Sequence, residues 1–215
     1  MTYMDRAQAL LEGWVQSESL RKHCYAVSAS MRHFARINGA DADLWGAIGL
    51  LHDLDFERYP DMPAADPEIA ALSHALVTEG PIRAQLPGHP FYGVAHLREQ
   101  GWSAEVRRAI LAHADYSGVH PESPMEKTLI AVDELSSFVI AVALVRASKS
   151  IFDVDVAAVK KKLKDKAFAR AVNREDIVRG AAGLDISLDD MIQHVVTALR
   201  GDAERLGLQG ISPGA

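Results

Sequence analysis

Residues 50–60 read LLHDLDFERYP, and this stretch decides how the chain is to be understood. Ala47, Ile48, Leu50 and Leu51 make an apolar run that leads into it, after which His52 and the acids Asp53, Asp55 and Glu57 follow at once. A buried aspartate without a partner is costly, so an acid at the end of a core helix needs a reason beyond packing. Adjacent helical residues project about 100° apart. At a helix end His52 and Asp53 can therefore grip one metal ion or bridge two.

Outward from this point the period is helical. The spacing predicts a helix over 17–37 with Leu20, Val27, Met31, Phe34 and also His23 on its apolar face, ending at Asn38-Gly39. A second helix is expected over 43–54, a third from Asp66-Pro67 to Glu79, and a fourth started in the same way by His89-Pro90 and running to Gln100. Ser103 caps a fifth, to Ala114, and 124–147 reads as one long central helix. Beyond it come the basic stretch KKKLKDKAFAR, a short helix opened by Asn173, a last helix capped by Ser187, and a tail expected to fray from Gly207. With no strand-like alternation, repeat or linker, the expectation is a single all-α bundle over 1–215, with a core at 15–147 and a C-terminal helical extension at 148–206.

The composition narrows the function. A length of 215 residues suffices for one sizeable core. A formal net charge of −6 leaves no global positive field to attract long nucleic acid or an anionic membrane, so an anionic substrate must be met by a metal or a local basic cluster. The single cysteine, Cys24, excludes an intramolecular disulfide and the Cys-rich zinc patterns. The N-terminus, with Asp5 and Glu12, is unlike a signal peptide, and the apolar stretch FVIAVALV at 138–145 is far shorter than the roughly 20 residues needed to span a bilayer. A cytoplasmic protein with no membrane partner is expected, a homo-oligomer remaining open.

Asp133 raises the same question as Asp53. TLIAVDELSSFVIAV places it on one helical face with Ile130, Ser137 and Ile140, and beyond it the helix offers no base until Arg146. Imidazole and carboxylate together suit divalent ions such as Mn, Fe, Co or Ni.

The pattern His23, then His52-Asp53, then Asp133 resembles the HD superfamily of metal-dependent phosphohydrolases, over roughly residues 15–140. The resemblance implies an HD-domain helical bundle that holds a divalent metal (Mn, Fe, Co, Ni or Mg) through those four residues. GHPFYGVAHL and AILAHADYSG look like the extra histidines of its dinuclear branches, which makes His89 and His113 candidate ligands of a second ion. That arrangement is similar to bacterial symmetrical diadenosine tetraphosphate hydrolases, from which this chain departs in reading HDLDF where the HDIG motif and its lysine would stand. The C-terminal third is similar to small uncharacterised bacterial HD proteins.

The implied activity is hydrolysis of a phosphate ester or anhydride of a small phosphorylated metabolite or nucleotide. Asp53 would bridge two ions, and Asp115, Asp55 and Glu57 are acids able to orient water or protonate a leaving group. Two alternatives stand beside it: a non-enzymatic metal- or nucleotide-binding module, and a di-iron oxygenase of the same superfamily. The run Lys160, Lys161, Lys162, Lys164 and Lys166 reads as a solvated face with Val159 and Leu163 inward, or else, with Arg146 and Lys149, as a phosphate-binding rim. His33, His74, His96, His120 and His194 read as ordinary, and Cys24 as packing.

Overall fold

The computed structural model describes residues 1–210, within which the helical period becomes eleven α-helices. α1 (Tyr3–Trp14) was not foreseen; a capping box between Thr2 and Asp5 opens it, and Ala7 and Leu11 are buried. α2 (Glu18–Ile37) starts at Ser17 and α3 (Ala42–Leu51) at Asp41, each capped by its side chain as small polar residues do at helix starts. α4 (Pro67–Thr78) and α6 (Ala104–His113) begin at the expected caps Asp66 and Ser103. α7 (Pro124–Leu144) is central, with a Ser123–Glu126 capping box at its head. It ends at Leu144, short of the expected 147.

α3 also stops early, at Leu51 in place of 54. The His52 Nδ1 donates to the Gly49 carbonyl (3.0 Å), which in a continuing helix would accept from the Asp53 N–H. Residues 52–58 then descend as successive turns, with Leu54 bonding to Leu51, Phe56 to Asp53 and Tyr59 to Asp55.

α5 (Phe91–Glu99) begins differently from expectation. Pro90 occupies the cap position, the preceding peptide bond is cis, and no side chain caps the helix. The backbone before it is pinned instead, because the His89 N–H donates to the Asp61 carbonyl (2.9 Å) and Gly88, at φ 126°, leaves no room for a Cβ, which would lie 2.1 Å from that oxygen.

The C-terminal helices α8 (Val156–Leu163), α9 (Arg174–Gly183), α10 (Leu188–Gly201) and α11 (Ala203–Leu206) lie against α2 and α7. Gly180 lets α9 reach backbone contact with α7: a Cβ there would sit 2.6 Å from the Ala131 Cα. The basic run is a solvated face, with Val159 buried beneath it and Lys160 paired to Asp189 (2.7 Å). Residues 207–210 are tied down and not frayed. Leu208 is buried and its carbonyl accepts from the Ile151 N–H, while Ser150 and Gln209 form an antiparallel bridge. The rest of the tail lies outside the described residues. No helix among those described is long and apolar enough to cross a membrane.

Candidate metal centre

His23 stands in the second turn of α2, Asp133 in mid-α7, His52 and Asp53 just past α3, His89 just ahead of α5, and His113 at the last residue of α6. The fold brings all six together. His23, His52 and Asp133 form one group whose ligand atoms lie within 4.8 Å of one another, and Asp53, His89 and His113 form a second. The Nε2 atoms of His23 and His52 are 3.0 Å apart, and those of His89 and His113 3.2 Å.

Asp53 joins the groups. Its Oδ2 lies 3.4 Å from His23 Nε2 and 3.5 Å from His52 Nε2, while its Oδ1 lies 3.5 Å from His89 Nε2 and 3.8 Å from His113 Nε2. Asp133 Oδ1 faces only the first group, at 3.1 Å from His23 and 3.4 Å from His52.

Every ring is oriented from behind through its Nδ1. His52 meets the Gly49 carbonyl, His113 the Ile110 carbonyl, His89 the Asp55 carboxylate (2.7 Å) and His23 the Ser137 hydroxyl (2.7 Å). Carbonyls and carboxylates only accept, so Nδ1 of His52, His113 and His89 carries the proton and Nε2 of the neutral ring offers its lone pair to the centre. Bare Nε2 atoms facing each other and two carboxylates repel unless positive charge lies among them. This donor set fits a divalent cation.

With no cation among them, protons on the rings meet the same demand. Burial opposes charge on His23, yet hydrogen bonds and attraction from Asp133 and Asp53 hold its pKa up at about 10. Burial would raise Asp53 and Asp133, but the His52 and His23 charges keep both well below the usual carboxylate range. His113 goes the other way: burial, then the charges of His89 and His52, push it down to about 4. Glu134, beside the site, is raised to about 7 by burial and by Asp133.

Two acids expected to act on water or a leaving group are placed elsewhere. Asp55 is 1 % exposed and sits behind His89, accepting also from the Gly93 N–H (2.6 Å); it is a positioning residue, because a carboxylate fully engaged in the core cannot reach substrate. Glu57 faces away and accepts from the backbone N–H groups of Gln16 and Ser17 at the head of α2. Asp115 does line the cavity in front of the histidines.

That cavity has a volume of about 660 Å³. Phe56, Met62, Tyr116, Val119 and Ile130 supply apolar wall, and α9 closes the far side with Asp176, Arg179, Gly180 and Gly183. Arg146 and Lys149 are not part of it; its cations are Lys127 and Arg179, with His120 beside them. Sequence reading missed these, as well as Ser137, although the i, i+3, i+4, i+7 spacing of the α9 residues is a legible stripe. His74 is exposed and lines a separate cavity with Arg108, His120 and Glu122. His33 pairs with His194 (3.1 Å) and His96 stacks on Trp14.

Among curated proteins and solved structures, none matches the chain. The model of the HD domain does, over residues 20–137, more than half of the length and the span that carries all six convergent residues. That family implies the metal-dependent phosphohydrolase superfamily, whose members bind divalent metals. The chain belongs to the HD domain family.

Proposed function

We propose that this protein is a metal-dependent phosphohydrolase that cleaves a phosphate ester or anhydride of a small metabolite or nucleotide. One observation carries the reading: four imidazole Nε2 atoms and two carboxylates converge on the wall of a substrate-sized cavity, with the two oxygens of Asp53 divided between the groups. His23, His52 and Asp133 would hold one divalent ion, and His89, His113 and Asp53 a second, with Asp53 shared. Such ions (Mn, Fe, Co, Ni or Mg) supply Lewis acidity toward a phosphoryl oxygen and lower the pKa of water at neutral pH.

The chain's own residues do the rest. Ser137, Gly49, Asp55 and Ile110 fix the four rings, so the ligands need no reorganisation during reaction. Asp115, exposed at the cavity, is placed to pass a proton between solvent and the reacting group. The Tyr116 hydroxyl donates to the His89 carbonyl (3.0 Å), which leaves it a wall residue. A cytoplasmic setting agrees with the single buried thiol of Cys24.

The test is phosphate release from a panel of phosphomonoesters, phosphodiesters and nucleotides by protein loaded in turn with each metal. Release that disappears in His52→Ala is expected. Metal-replete protein that releases phosphate from none of them would exclude the hydrolase and leave a binding module. The four imidazoles in the donor set also favour a di-iron oxygenase as the second reading; bound iron together with oxygen uptake, and no phosphate release, would establish it.

A further inference from the structure

The cavity is built on one side by the HD segment and on the other by α9, which lies beyond the matched residues. Asp176, Arg179, Gly180 and Gly183 share one face of α9 and all line the cavity, as do Lys127, Ile130, Asp133 and Glu134 on α7. Glu134 lies beside Asp176, and Gly180 touches Ala131. The two helices therefore run antiparallel, and the C-terminal end of α9 passes the first turn of α7, where Lys127 stands. Along α7 roughly 9 Å of helix separates Lys127 from Asp133, so the metal end and the cationic end are distinct positions in one cavity.

The two cations of the lining are available, Lys127 at that end and Arg179 next to Gly180, level with Ala131 and so between Lys127 and Asp133. Glu122 and Glu126, the acids nearest Lys127 in sequence, are both engaged by Arg108 (3.0 and 2.9 Å), and Lys127 is exposed with no ion-pair partner among the described residues. Arg179 gives one nitrogen to Asp176, and its side chain remains 66 % exposed, leaving most of its five donors free. A Cβ at Gly183 would meet nothing within 4 Å, so the cleft beside them is open. In a chain of net charge −6, with Asp53, Asp115, Asp133 and Glu134 at the metal end, these are the groups that meet an incoming anion.

We propose that the α7–α9 cleft binds a second phosphoryl group of the substrate, remote from the one that is cleaved, through Lys127 and Arg179, and so selects substrates carrying two phosphoryl groups. This rests on the phosphohydrolase reading. The guanidinium fork and the ammonium suit phosphoryl oxygens, and no other part of the cavity lining offers two such cations.

The experiment compares wild type, the Lys127→Met/Arg179→Met double variant and Lys160→Met, a cation outside the cavity. In metal-loaded full-length protein, kcat/KM is measured for p-nitrophenyl phosphate and for a nucleoside 3′,5′-bisphosphate. In the double variant the bisphosphate value should fall at least about tenfold relative to the p-nitrophenyl phosphate value, mainly through KM, and the ratio should not move in Lys160→Met. An unchanged ratio overturns the proposal. Calorimetry with inorganic pyrophosphate gives a reading independent of turnover: binding weakened at least about tenfold in the double variant supports the cleft even where wild type hydrolyses nothing, an outcome that defeats only the hydrolase reading. Equal pyrophosphate affinity in all three proteins overturns the cleft and leaves the hydrolase standing.

Discussion

The two ligand groups hold the same kinds of atoms at similar spacings, yet they are supported differently. His23 and Asp133 rise from within the two longest helices, α2 and α7, His23 in the second turn and Asp133 at mid-helix, where backbone hydrogen bonds on both sides fix the Cα positions. His89 and His113 stand at a helix start and a helix end, and Asp53 lies in a turn. Two of the first group's three ligands are positioned by secondary structure, while His52 lies just past α3. The second needs dedicated hydrogen bonds, and it has the stronger one, the buried Asp55 carboxylate behind His89 where the first group has only the Ser137 hydroxyl behind His23. The electrostatic surroundings divide them as well: against burial, Asp133 and Asp53 hold the His23 pKa up at about 10, whereas burial and the neighbouring His89 and His52 push that of His113 down to about 4.

The comparison can be broken most directly at Asp133. Asp133→Ala should cost the first group more than about 100-fold in metal affinity while the second keeps its ion, so elemental analysis after gel filtration should read one ion per chain in place of two. Two retained ions would show that the groups are not separate.

Asp55→Asn sharpens it from the other side. An amide keeps one oxygen where the carboxylate uses two, Oδ1 for the His89 N–H and Oδ2 for the Gly93 N–H, so affinity at the second group should fall about 10–100-fold, whereas Ser137→Ala should cost the first group less than that. Manganese titration followed by paramagnetic resonance measures both, and equal losses would mean that helix position gives no advantage.

Gly180→Ala forces a methyl into the Ala131 backbone and should destabilise the fold by about 1–3 kcal/mol in urea unfolding, without changing metal stoichiometry, because α9 carries no ligand.

The smallest effect concerns His33 and His194, a third histidine pair at similar spacing that no carboxylate joins into a ligand group among the described residues. Burial first, then His194 and Arg36, lower the His33 pKa, so below about pH 6.5 the unfolded chain takes up protons that the folded chain resists. Stability is therefore retained above that pH and lost as pH falls through the folded-state pKa. His33→Gln should make thermal stability slightly less sensitive between pH 7 and 5; no change would mean that the pair carries no titration cost.

The fold and all six convergent residues were legible because buried acids and histidines on apolar helices stand out against the pattern. The supporting atoms were not. Gly49 and Ile110 act through backbone carbonyls, which no side chain announces, and Ser137 looks like any small helical residue. Asp55 and Glu57 were seen but misplaced, since the turns after α3 abandon the helical period that would have shown which way each points. Lys160 through Lys166 drew attention by density, while Lys127 and Arg179, single cations on different helices, acquire a shared role only when α9 crosses α7.

Asp53 has one further consequence. Two ions held on the two oxygens of one carboxylate would not bind independently, and whatever factor the first imposes on the affinity of the second, the second must return to the first. The centre would then fill as a cooperative unit, positive or negative in sign, and a titration curve fitted with two unrelated constants would misdescribe it.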